Sequence, residues 1–129
     1  MKKAKKSVLL LILVMVMLMS VCVYAKENTE TVQADGYGTL TGTVSSYGWY
    51  ETTVSYNNDN AVIGAKGVIK DKNGNDVSYT AEFFSEKGET RYSWSWQFLP
   101  DGSYSLYGTH EVRNGSKYGA KAVYTYTRI

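Results

Sequence analysis

The sequence predicts an all-β domain: an antiparallel up-and-down meander of about seven strands, folded into a small sandwich or barrel and preceded by an N-terminal signal-peptide helix. Three observations carry this expectation. From Gly36 onward, segments rich in Tyr, Val, Thr and Trp are broken about every eight to twelve residues by Gly, Asn and Asp clusters, the rhythm of strands and turns. After residue 25 no stretch keeps the i, i+3, i+4, i+7 apolar stripe that a packed helix needs. The length of 129 residues suits one domain, and a single Cys excludes a disulfide scaffold.

In chain order, Lys2, Lys3, Lys5 and Lys6 form a basic n-region, Val8 to Met19 is an unbroken apolar run, and Val23-Tyr24-Ala25 resembles a signal-peptidase site. Twelve apolar residues as a helix cover only about 18 Å of a roughly 30 Å hydrocarbon core, which favours a cleaved signal at residues 1–25 over an anchor. An alternative uses Cys22 as a lipid-modified N-terminus of the bacterial kind, although Val21 before it is larger than such processing usually accepts. Loss of residues 1–25 removes four of the 14 basic residues and none of the 12 acidic ones, turning a formal charge of +2 into −2 over the remaining 104 residues. A mildly acidic exported domain lacks the electrostatic footprint of a nucleic-acid binder. It meets the membrane only through its signal segment during export.

Residues 26–35 (KENTETVQAD) are polar without a sustained apolar period and read as a flexible tether, leaving residues 36–129 as the β domain. Strands are expected at about 37–44, 48–56, 61–70, 77–84, 91–99, 104–113 and 118–128. Asn73-Gly74 and Asn114-Gly115 suit type I′ turns, with positive φ at both central positions. Pro100-Asp101-Gly102 pairs a fixed φ with a permissive one. Connections this short make sequence neighbours antiparallel neighbours.

Period-two alternation then assigns faces. Tyr92, Trp94, Trp96 and Phe98 share one side of their strand; Tyr50, Val54 and Tyr56 share one side of theirs; Val77, Tyr79, Ala81 and Phe83 form a third set. The last strand places Tyr118, Ala120, Ala122, Tyr124 and Tyr126 together. These aromatic faces are expected inside, because a sheet with one apolar face must cover it.

The chain offers little for catalysis. His110 is the only histidine, and alternation puts it at the core edge. No cysteine follows Cys22, so thiol nucleophiles and Cys-ligated zinc have no candidates in the mature chain. Asp71, Asn73, Asn75 and Glu82 fall at positions one, three, five and twelve of a calcium-loop pattern. Asp76 stands where that loop needs Gly, and a hairpin explains the same residues. No metal and no cofactor is expected.

What remains is surface. Alternation places Trp49, Phe84 and Tyr107 on the polar face near Arg113, and rings beside hydrogen-bonding groups can stack on a sugar or peptide. Convergence of these side chains on one patch is the geometric requirement; if they scatter, the interface moves to a sheet edge. The secretory leader, the cysteine-free β domain and Val44-Ser45-Ser46 followed by aromatics faintly resemble lactococcin-type bacteriocins, small secreted β-sandwich proteins. The resemblance covers a small part of the chain and lacks that group's histidines and N-terminal Trp-Gly pattern, so no membership is assigned from it.

The expected function is therefore a secreted or cell-surface, non-catalytic β domain that binds a cell-envelope polysaccharide, a peptide or a protein partner. The competitors are a bacteriocin-like or toxin-like effector and a small extracellular hydrolase using His110 or Glu111.

Overall fold

The computed structural model describes residues 26–129 apart from Tyr79. The expected signal peptide with Cys22, and the inward placement of Tyr79, lie outside the described residues. Eight strands are seen among those described: β1 (Glu27–Ala34), β2 (Gly38–Ser45), β3 (Trp49–Val54), β4 (Val62–Lys70), β5 (Ala81–Phe84), β6 (Arg91–Ser95), β7 (Ser105–Arg113) and β8 (Lys121–Arg128). They form two antiparallel four-stranded sheets ordered β1-β2-β3-β6 and β5-β4-β7-β8, which lie face to face as a sandwich.

This topology corrects the simple meander. Tight turns at 35–37 and 46–48 join β1, β2 and β3 as neighbours, but the chain then crosses to β4 and β5, returns to set β6 beside β3, and crosses again to set β7 between β4 and β8. The segments 55–61, 85–90 and 96–104 are long enough to pass between sheets, which a hairpin turn is not.

Residues 27–34, expected as a tether, are a strand in full register with β2, from Glu27 opposite Ser45 to Ala34 opposite Gly38. Val32 and Ala34 turn inward onto the core, while Thr29 meets Thr43 through their hydroxyls at 2.9 Å. Its polar composition suits an edge strand, where charge discourages pairing with another chain.

The turns also differ in detail. Gly74 has φ 84° and Asn114 φ 58°, but Asn73 and Gly115 are not in the left-handed region, so neither Asn-Gly pair forms a type I′ turn. The Pro100 turn closes as expected, with Ser103 N–H donating to the Pro100 carbonyl at 3.2 Å.

Two apolar clusters fill the sandwich. Tyr37, Leu40, Val54, Ile63 and Val112 pack at one end, with Val44, Tyr50, Ala65, Ile69 and Leu106 at the other. Trp94 stacks on Tyr50, ring centroids 4.7 Å apart and planes within 4°. Between the clusters sits His110, fully buried rather than at the core edge. Thr52 Oγ1 gives its single proton to the Gly64 carbonyl at 2.9 Å, so it must accept from His110 Nδ1–H at 2.8 Å. Nε2 then accepts from Thr125 Oγ1 at 2.7 Å, which defines a neutral ring protonated at Nδ1. Gly42 makes room for this ring: a Cβ there would overlap it.

The same histidine explains the largest error in face assignment. Thr125 must point inward to reach Nε2, and with it go Val123 and Thr127, so Tyr124 and Tyr126 face outward at 69% and 44% exposure. Phe98 and Tyr56 are also exposed, because β6 ends at Ser95 and β3 at Val54 and alternation stops with them. Phe83 is exposed too, on the edge strand β5, with its ring against Trp94.

Candidate tyrosine face

The outer face of the β5-β4-β7-β8 sheet is built row by row from the register. Val68, Tyr107 and Tyr126 lie side by side across three strands; Lys66, Thr109 and Tyr124 form the next row, then Gly64, Glu111 and Ala122. The rings of Tyr107 and Tyr126 lie 5.0 Å apart at 52°. They occupy a non-hydrogen-bonded pair, since Tyr126 N–H donates instead to Asn28 Oδ1 at 3.0 Å, and such pairs hold their side chains closest. At the end of the face the Arg128 guanidinium lies 4.5 Å from the centre of the Tyr104 ring. Tyr107, Tyr124 and Tyr126 are thus neighbours on an exposed surface.

The residues singled out in the sequence divide. Trp49 belongs to the other sheet, on its outer face opposite Ser95, and does not meet the rest. Phe84 and Arg113 do meet, the guanidinium 3.9 Å from the ring centre and bridged to Glu111 at 3.4 Å. Phe84 lies across Gly64, where any Cβ would press into its ring, so it covers bare backbone. Tyr107 alone joins the tyrosine cluster, four residues of β4 away from Phe84 in register. The proposed four-residue platform does not converge, yet exposed rings still gather on a sheet face, at Tyr107, Tyr124 and Tyr126, and not at the sheet edge expected for that outcome.

The calcium-pattern residues also part. Asp71 Oδ1 accepts from the backbone N–H groups of Asn73 at 2.8 Å and Asn75 at 2.9 Å, and these bonds hold its carboxyl below the usual range. Glu82 stands on β5 opposite Lys66, well down the sheet from this turn. Among the described residues no group of three or more His, Cys, Asp or Glu side chains is placed to hold a metal ion.

A second polar constellation is structural. Asp59, buried, accepts from Tyr37 OH at 2.8 Å, Lys117 N–H at 2.8 Å and Tyr118 N–H at 2.9 Å, tying the β3–β4 connection to the β7–β8 loop. The backbone donors, Tyr118 foremost, lower its pKa, while burial and then the Asp59 hydrogen bond push the Tyr37 phenol up to about 12. A cavity of about 210 Å³ between Gln33, Asp35 and Lys121 carries no ring. No family model, no curated protein and no solved structure matches this chain.

Sequence reasoning missed Tyr124 and Tyr126 because both faces of β8 carry residues that could be buried, and ring size favoured the wrong one. The available signal was His110, whose inward ring needs hydroxyl partners on the facing strands.

Proposed function

We propose that this chain is an exported, non-catalytic β-sandwich that binds an uncharged glycan of the cell envelope through Tyr107, Tyr124 and Tyr126. The observation carrying this reading is the exposure of these rings on one sheet face, with Tyr107 and Tyr126 in contact. Monomers seldom leave such a patch without a use. Phenol rings offer an apolar surface to the C–H face of a sugar and a hydroxyl to its rim.

The charges on the face favour a neutral ligand. Arg113 is matched by Glu111, Lys70 by Asp76 at 2.6 Å, and Lys66 faces Glu82 across the strand pair, while the Arg128 guanidinium lies over the Tyr104 ring. An anionic polymer would meet little net attraction there. A peptide added as a strand beside these tyrosines would meet the edge of β8, where Asn28 already takes the Tyr126 N–H.

The test is retention of the purified protein on insoluble, uncharged cell-wall polysaccharide, with peptidoglycan and a peptide array in parallel. The Tyr107→Ala/Tyr126→Ala double variant should bind at least about tenfold more weakly, equivalent to about 1.4 kcal/mol. Unchanged retention by a folded double variant, or binding to the peptide array alone, would remove this reading.

A further inference from the structure

We infer that Tyr107 and Tyr126 are a site of oxidative cross-linking, joined as a dityrosine within one molecule by hydrogen peroxide and a haem peroxidase. The inference goes beyond glycan binding and stands on different properties of the pair, namely ring proximity and access to an oxidant.

Geometry selects these two rings. They face each other across a narrow antiparallel pair at 5.0 Å, and each is about two-fifths exposed, so both phenols are open to solvent. A second tyrosine pair, Tyr37 and Tyr118, is 6.0 Å apart edge to face, but Tyr37 is fully buried and its hydroxyl is held by Asp59. Tyr124 is more exposed, but its cross-strand neighbour on β7 is Thr109. The Tyr104 ring packs against the Arg128 guanidinium. No cysteine follows Cys22, so residues 26–129 hold no thiol for a disulfide, and a tyrosine pair is the side-chain chemistry left for a covalent cross-strand link of this kind.

The chemistry balances without a metal or cofactor of this protein. Each phenol gives one electron and its hydroxyl proton to the oxidised peroxidase. The two phenoxyl radicals form one bond between a Cε carbon of each ring. The hydrogens on those carbons then move to the oxygens and restore both phenols. One hydrogen peroxide becomes two waters, and the protein is lighter by two hydrogen atoms.

The experiment treats dilute purified protein with peroxidase and hydrogen peroxide, then reads dityrosine fluorescence, intact mass and proteolytic fragments. A monomer lighter by two hydrogens, with one fragment linking Tyr107 to Tyr126, is expected. Tyr107→Phe and Tyr126→Phe should each abolish the fluorescence while keeping the ring and the fold, whereas Tyr124→Phe should keep it. Coupling through other tyrosines, cross-linking only between molecules, or no coupling while free tyrosine in the same reaction dimerises would overturn the inference. Glycan binding is measured separately and uses no oxidant, so either reading can fail alone.

Discussion

His110 shows how one side chain can govern a fold. Burial pushes its pKa from 6.5 down to about 4, partly opposed by the Glu51 carbonyl, because the core offers hydroxyls and no carboxylate to a cation. The unfolded chain therefore takes up a proton below about pH 6.5 that the folded chain refuses, so stability is complete above that value and falls as pH drops toward 4. Between about pH 6.5 and 5, before most carboxylates titrate, denaturant unfolding should register a loss of about 2 kcal/mol. A flat profile over that window would contradict a buried neutral ring. Gly42→Ala tests the same site sterically: its methyl overlaps the imidazole, and overpacking of this kind costs about 1–3 kcal/mol. The Asp59 pKa is lowered as well, in its case by hydrogen bonds to the charged form, so its contribution is present above the ordinary carboxylate range and disappears as pH falls through its lowered value.

At the scale of elements, the loop clamp and the strand edges make separate predictions. Asp59→Asn keeps one acceptor oxygen and puts an amide NH2 in place of the other, so it faces either Lys117 N–H or the Tyr37 OH and Tyr118 N–H pair with a donor, and the melting temperature should fall and amide exchange should rise across 114–120. An unchanged exchange pattern would mean that the clamp is dispensable. Asn28→Ala uncovers the β8 edge, and exchange of the Tyr126 amide should quicken with little change in global stability. The strands from β2 to β8 were legible in the sequence because Gly, Asn and Pro punctuate segments of aromatic and β-branched residues. β1 was not: Glu27, Asn28 and Glu30 hide a strand that needs only Val32 and Ala34 inward. Faces were legible where one side was plainly apolar, as with Tyr50 and Val54. In β8 they were not, since Thr125 is buried for a hydrogen bond and not for its hydrophobicity. The candidate site inherits that error, for Tyr107 could be placed outside by alternation but its partners Tyr124 and Tyr126 could not.

For the whole molecule, the sandwich sends its tyrosines to two fates. Tyr37 and Tyr50 are fully buried and build the core, whereas Tyr107, Tyr124 and Tyr126 gather on one outer face whose charges are largely balanced. The opposite outer face is lined by Thr29, Thr31, Thr39, Thr41, Thr43 and Thr53 around Trp49, so the two faces differ in chemistry and a ligand can tell them apart. Amide chemical-shift mapping during titration with uncharged cell-wall oligosaccharides puts the proposal to its most direct test. Shifts should cluster at Tyr107, Tyr124 and Tyr126, with Val68 and Thr109 beside them. Shifts confined to the threonine face, or none at saturating ligand, would contradict the account.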